Sequence, residues 1–233
     1  MSIDVLQAIA QAQASWQPPQ VPEDIPQGDM PGDKVWIGPQ SIEKANVAFR
    51  AALPMLQEAL KANPAHKAVI AVTGGSGVMK TCVSALFTYY LKELGIGAYT
   101  LSGDNYPWRI PVQNDAERMR IFRMGGVEGM LAQGVYNPEN AAILKELQLA
   151  DLDSEPKKRE EYPWLAAYQS AGREALSGYL GTELEQNYAK LESVLAQFKA
   201  GQEKIWLRRL GNEDTDLWYD EKDFSQISVL VLE

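Results

Sequence analysis

Ala71-Val-Thr-Gly74-Gly75-Ser76-Gly77-Val78-Met79-Lys80-Thr81 is the stretch from which the fold is read. It follows a run of strand character, Lys67-Ala-Val-Ile-Ala-Val72, and precedes a run of helix character from Thr81 to Leu94. A glycine-rich turn between a strand and a helix, closed by Lys-Thr, has the chemistry of a phosphate cradle. Backbone N–H groups surround the anion, the helix N-terminus faces it, the lysine reaches the terminal phosphates and the threonine hydroxyl ligates magnesium. The spacing G-x-x-x-x-G-K-[ST] is met at Gly74, Lys80 and Thr81 and broken at position 79, where methionine stands for the second glycine. Glycine tolerates backbone angles that methionine resists, and a side chain at 79 is expected to point into a crowded turn. Met79 therefore reads as an engineered lesion, a natural loss of activity, or a tolerated variant with a shifted loop, and the first two together are favoured.

A second strand, Gly97-Ala-Tyr-Thr-Leu-Ser-Gly103, follows the helix and delivers Asp104-Asn-Tyr106-Pro-Trp-Arg109 at its C-terminal end. Strand, phosphate loop, helix and strand make a βαβ unit, and in parallel sheets ligands bind beyond the carboxyl ends of the strands. The final run, Ile227-Ser-Val-Leu-Val-Leu-Glu233, reads as a buried strand carrying a carboxylate at its end. The loop, Asp104 and Glu233 are thus expected at one sheet edge. Phosphoryl transfer needs that set: a phosphate cradle, a metal ion and a carboxylate that deprotonates the acceptor hydroxyl. Tyr106, Trp108 and Arg109 are candidates for an acceptor pocket or ordinary loop anchors in equal measure. Only three core strands are legible, so the chain is expected to be shortened or to be completed by another polypeptide.

Composition narrows the field. The 233 residues are 45% hydrophobic and 23% charged, ordinary for a globular protein that buries a substantial core. A net charge of -9 argues against a nucleic-acid-binding surface. The single cysteine, Cys82, leaves no disulfide framework or multi-cysteine metal site, and the single histidine, His66, makes imidazole catalysis an unpromising reading. No secretory signal pattern and no apolar run of membrane-spanning length is present, so a cytoplasmic protein without a membrane partner is expected.

The remainder of the chain is organised around that unit. Residues 3–15 read as a helix, and a Pro-rich connector runs to about residue 40. Ser41 is the expected N-cap of the next helix, which Asn63-Pro64 ends. Residues 115–203 are helical in pattern, with expected breaks at Gly125-Gly126, Tyr136–Pro138 and the charged segment from Asp151 to Glu161, and with an amphipathic helix between Gly181 and Gly201. Two short strands follow at 204–210 and 216–220. Lys157-Lys-Arg159 reads as a solvated face, and Arg208-Arg209 as a surface pair or, less strongly, an anion site.

The loop Gly74–Thr81, the segment Leu101-Ser-Gly-Asp104-Asn-Tyr106 and the terminal Val229-Leu-Val-Leu-Glu233 together resemble the uridine kinase and phosphoribulokinase-like group of P-loop kinases. Leu217-Trp-Tyr219-Asp220 is similar to that group's substrate-side Tyr-Asp element, while Pro107 stands where the group has a tyrosine. The resemblance is strong over 67–106 and thin from 107 to 215, and it does not reach residues 1–66. It implies an α/β fold: a P-loop NTPase-type doubly wound parallel sheet with a large helical insertion and an N-terminal helical extension. The expected divisions are 1–40 (helix and connector), 41–106 (first part of the nucleotide-binding core), 107–222 (acceptor-side insertion) and 223–233 (returning core strand). The implied activity is ATP-dependent phosphorylation of a hydroxyl on a sugar, nucleoside or related metabolite. The alternative is a degenerate nucleotide- or partner-binding module, because the group's arginine-bearing lid and later strands are missing. In the kinase reading Gly74, Gly75, Ser76, Gly77, Val78, Met79, Lys80 and Thr81 hold ATP. Thr81 and Glu233 hold Mg2+, Asp104 and Lys80 are catalytic, and Tyr106, Arg109 and Tyr219 face the acceptor. A homo-oligomer is a further expectation.

Overall fold

A computed structural model describes residues 4–29, 34–75 and 77–233. They divide into two compact units, one of residues 1–106, 189–210 and 217–233, the other of residues 107–188 and 211–216. In the first unit Asp4 caps helix α1 (Val5–Ser15), its carboxylate accepting the N–H groups of Leu6 and Gln7. Ile3, expected on this helix, lies outside the described residues. The connector is more regular than its prolines suggest: β1 (Asp24–Pro26) and β2 (Lys34–Trp36) pair antiparallel. Helix α2 (Pro39–Ala62) begins two residues before the expected Ser41 cap. Gly38 is the cap and Pro39 opens the helix, where its fixed φ fits and its missing N–H is no loss. Ser41 sits buried in the first turn with its hydroxyl free for another partner.

The βαβ unit forms as expected. Strand β3 (Ala68–Ala71) feeds the glycine-rich loop, and helix α3 (Lys80–Glu93) leaves it. Gly95, at φ 75, closes α3 as only a residue at ease in the left-handed region does, with its N–H on Lys92 O and that of Ile96 on Leu91 O. Strand β4 (Ala98–Leu101) completes the unit.

The second unit holds α4 (Pro111–Ala132), α5 (Pro138–Leu149), α6 (Lys158–Glu161) and α7 (Leu165–Ser177). Gly125-Gly126 does not break a helix; both lie inside α4. Their role is close approach. A Cβ on Gly125 would strike Ala175, one on Gly129 would strike Ala171, and one on Gly126 would meet the Tyr168 ring at 2.5 Å. These glycines let α7 lie against α4 while Phe122 and Tyr168 stack edge-on at 5.5 Å. Asp153, fully buried, is held by the Tyr168 hydroxyl at 2.6 Å and by Arg123.

The chain then returns to the first unit with α8 (Tyr188–Lys199), β5 (Lys204–Leu210), β6 (Leu217–Asp223) and β7 (Val229–Leu232). The amphipathic helix is thus shorter than the Gly181–Gly201 span, and Leu184 lies outside it, 66% exposed. Strands β5 and β6 form an antiparallel hairpin. Strand β7 enters between β3 and β4, parallel to both, with Leu232 in register with Ala71 and Leu101. Its alternate residues divide the core: Val229 and Val231 pack with α1, α2 and α3, and Leu230 packs with Phe198 of α8 and Leu207 of β5. Both faces are therefore covered, which explains an unbroken apolar run. The result is an α/β arrangement around a three-stranded parallel sheet.

Gly126→Val should destabilise the protein by about 2 kcal/mol through overpacking against Tyr168, more than valine's helix propensity returns. Urea unfolding measures it; an unchanged midpoint would mean that α4 and α7 do not depend on close approach.

Candidate functional site

The shared register of the three strands brings the segments beyond their carboxyl ends side by side. Val72 donates its N–H to Leu232 O, Glu233 donates to Leu101 O, and Gly103 donates to Glu233 O at 2.6 Å. A side chain on Gly103 would meet that same carbonyl at 2.7 Å, so glycine is what lets the turn approach the strand end. Glu233 thus stands between the glycine-rich loop and the turn that carries Asp104.

The Glu233 carboxylate faces the first turn of α3. Thr81 Oγ1 donates to one oxygen at 2.5 Å and Ser84 Oγ to the other at 3.3 Å. Lys80 folds back on its own loop, Nζ donating to Gly75 O at 3.1 Å. Gly74, Gly75, Gly77 and Val78 are exposed, while Ser76 lies outside the described residues. Met79 adopts φ 69 and ψ 31, the left-handed conformation suited to glycine. Its side chain, however, does not fill the turn: its Sδ accepts the Ser41 hydroxyl at 3.1 Å, toward the start of α2. The expected obstruction is replaced by backbone strain.

Asp104 is exposed on the 3-10 turn Gly103–Asn105, its N–H capped by Ser102 Oγ at 2.9 Å. That turn is gripped by a residue that the sequence alone does not single out. Asp29, 1% exposed, accepts the Ser102 N–H at 2.8 Å with one oxygen and Asn105 Nδ2 at 3.3 Å with the other. Arg209 donates to the same second oxygen at 2.9 Å, to Asp220 at 3.1 Å and to the Tyr99 hydroxyl at 3.2 Å. Asn105 Oδ1 in turn accepts the Leu210 N–H. Burial pushes the Asp29 carboxyl up to about 6, against the opposing pull of Arg209 and the donors from Ser102 and Asn105. Arg209 is accordingly a buried structural cation rather than a surface residue, and the connector, through Asp29, is part of the architecture behind Asp104.

The acceptor-side candidates separate. Tyr106 is 1% exposed, packed with Leu101, Phe198 and Leu230, and its hydroxyl has no hydrogen-bond partner among the described residues. Burial pushes its ionisation well above the ordinary phenol range. Tyr219, 43% exposed, pairs across the β5–β6 hairpin with Arg208, which is buried like Arg209 and is no surface residue, and Lys190 Nζ lies 5.0 Å from the Tyr219 ring centre. Trp206, 55% exposed, lies diagonally across from Tyr219 on the same face of the hairpin. Arg109 belongs to the second unit, where it donates to the Tyr179 hydroxyl and pairs with Glu117 at 3.8 Å. His66 is turned to Leu60 O, away from the loop.

Comparison with known proteins adds one relative. Over 171 residues the chain is 34% identical to the bifunctional alpha-galactosidase/sucrose kinase AgaSK of Mediterraneibacter gnavus. This chain resembles part of a bifunctional enzyme. The match covers 73% of this chain and 13% of that protein, so the chain spans a small fraction of its relative's length. No family model and no solved structure matches. Among the described residues no helix is long and apolar enough to cross a membrane.

Both the buried carboxyl and the strained loop residue are open to measurement. Because the folded carboxyl of Asp29 titrates above its unfolded value near 3.8, its stabilising contribution is complete below about pH 4 and is lost as pH rises through about 6. The stability difference between wild type and Asp29→Asn, from urea midpoints at pH 4 and 7, should shift by roughly 2 kcal/mol in that direction. A pH-independent difference would place Asp29 in contact with solvent. Met79→Gly should raise stability by up to about 1 kcal/mol, relief of the left-handed strain outweighing the entropy glycine adds to the unfolded chain. Its affinity for Mg-ADP should change less than about fivefold, since the Met79 side chain lies against Ser41 and outside the turn. A larger gain by calorimetry would restore steric blockage.

Proposed function

We propose that this chain is an ATP- and Mg2+-dependent kinase that transfers a phosphoryl group to a hydroxyl of a small sugar. The observation that supports it most is the convergence on one sheet edge of Lys80, Thr81 and Glu233 with the turn that carries Asp104. A kinase-bearing relative at 34% identity supports the same class, and its name makes sucrose the first acceptor to test.

The residues divide the work between them. Loop N–H groups and the start of α3 receive the phosphates, and Lys80 exchanges the Gly75 carbonyl for a phosphate oxygen. Thr81 and Glu233 offer two oxygen donors 2.5 Å apart, suited to a hard cation. Among the described residues no group of three His, Cys, Asp or Glu side chains could hold a metal ion. This fits an ion that keeps several waters and is bound through one or two protein oxygens and substrate phosphates, as Mg2+ is. A Mg2+ ion held by Thr81 and Glu233 would supply neutralisation of the charge that develops on the transferred group. Asp104 takes the proton of the acceptor hydroxyl as that oxygen forms its bond to the γ-phosphorus. The bond from that phosphorus to the bridging oxygen breaks, and ADP leaves with the electron pair. Asp29 and Arg209 act on this step only through the position of the turn.

Tyr219 and Trp206 are proposed as the acceptor platform, flat apolar faces of the kind that sugar rings rest on. Tyr106 is left as support beneath them. The finer assignment, to the uridine kinase-like group, rests on the loop, on Asp104 and on Glu233. The outer edge of β3 has no strand beside it among the described residues, and further residues of a longer protein or a partner polypeptide would complete the sheet there.

Incubation with Mg-ATP and a panel of sugars, nucleosides and vitamins, with ADP release as the readout, tests the proposal. Acceptor-dependent release should fall about 100-fold or more in Asp104→Asn while Mg-ADP affinity is retained. Nucleotide binding without turnover on any acceptor would favour a degenerate binding module instead.

A further inference from the structure

We infer that the N-terminal hairpin and the first turns of α2 form the base pocket of the nucleotide, with Trp36 as the stacking platform and Asn46 as the hydrogen-bond acceptor for an amino-purine. This rests on the nucleotide reading of the phosphate loop, but it concerns a segment that the family resemblance read from the sequence does not reach. A cavity of about 630 Å³ opens between β2 and α2, lined by Glu23, Trp36, Ile37, Pro39, Ile42 and Asn46, with Glu43 at its rim. That volume exceeds what a nucleoside requires.

Three properties of the cavity point to a planar, amine-bearing ring. First, Trp36 is 70% exposed. The six-membered ring of its indole lies close to Gly38, where any side chain would meet it at 2.8 Å, and most of its surface is open to solvent. A large aromatic exposed this way is a stacking surface for a base. Second, Asn46 lines the cavity, and its Oδ1 is closed to solvent with no hydrogen-bond partner among the described residues, so rotation of the amide toward the cavity would let it gain an N–H donor. Third, the charged groups lining the cavity are the carboxylates of Glu23 and Glu43. These repel phosphate and accept hydrogen bonds from an exocyclic amine. The cavity is therefore suited to the base and unsuited to the phosphates of the same ligand.

Its place in the fold supplies the connection. The Ser41 hydroxyl, next to the lining residue Ile42, donates to Met79 Sδ at 3.1 Å, and Cys82 Sγ lies 3.7 Å from the Trp36 carbonyl. Met79 and Cys82 flank Lys80-Thr81 directly. The pocket wall is thus tied to both sides of the residues that receive phosphate. The hairpin also has direction: its open end, with Glu23 and Trp36, borders α2, whereas Asp29 in its turn touches Ser102 beyond β4. A nucleotide with its base on Trp36 has its terminal phosphate free to run toward Glu233 and Asp104.

The test compares ligands with and without a base. Mg-ADP and Mg-tripolyphosphate are titrated calorimetrically into wild type, Trp36→Ala, Trp36→Phe and Asn46→Leu, with near-UV circular dichroism confirming the fold of each. Trp36→Ala should weaken ADP about fivefold or more, in line with base stacking on an aromatic, and leave tripolyphosphate within twofold. Trp36→Phe should restore most of the loss, and Asn46→Leu should narrow the preference for ADP over the amine-free inosine diphosphate. ADP should quench indole fluorescence in wild type, and the quench should be lost in Trp36→Phe. Unchanged ADP affinity in Trp36→Ala would overturn the assignment while leaving the phosphate loop intact, as would an equal loss for both ligands. If wild type binds neither ligand, the phosphate-loop reading fails and the base pocket falls with it.

Discussion

The insertion of Val229–Leu232 between two strands that precede it by most of the chain is the constraint on which the first unit depends. Parallel pairing on both sides fixes one register for three strand ends. From that register the loop, Glu233 and the Asp104 turn take their places without any further device. It also orders assembly. β3 and β4 each lack their sheet partner until the last strand is available, and closing so long a connection costs conformational entropy before any contact repays it. The sheet is therefore expected to form late, after the helical second unit, whose α4–α7 packing joins segments much nearer in sequence.

The candidate site combines firm and compliant parts. Glu233 and Thr81 are held by strand register and a 2.5 Å hydrogen bond, and the Asp104 turn is held by a buried ion pair. The glycine-rich loop, by contrast, is exposed, and Lys80 rests on the Gly75 carbonyl. Met79 belongs to the firm part: its sulfur anchors to Ser41, so the strained residue is tethered to α2 instead of occupying the cradle. The residue that most offends the motif thus leaves the cradle sterically open.

Much of this was legible in the sequence because the signals were local. A β-branched run before glycines and a lysine reads as strand and phosphate loop from a dozen residues, and Gly95 marks the end of α3 by its conformation alone. What stayed hidden depended on distant partners. Asp29 sits among prolines and glycines, where an aspartate ordinarily marks a turn, and only folding brings Ser102, Asn105 and Arg209 around it. Gly125 and Gly126 show a different ambiguity. Glycine marks either a break or a close contact, and the choice was made by Ala175 and Tyr168 on another helix. The cap of α2 was misread for a simpler reason, since Pro39 is as strong a start signal as Ser41 and comes first.

The Asp29–Arg209 pair bears on how this protein can be divided. A cut at residue 41, which the motif suggests as the edge of the nucleotide-binding core, would remove Asp29 and leave Arg209, 5% exposed, with the half-exposed Asp220 as its remaining counter-charge among the described residues. Breaking a buried pair from one side typically costs about 3–5 kcal/mol, a large share of the stability of an ordinary domain. The hairpin is thus no detachable leader. In any fusion, exchange or recombination of this core with another protein, the first forty residues have to travel with it.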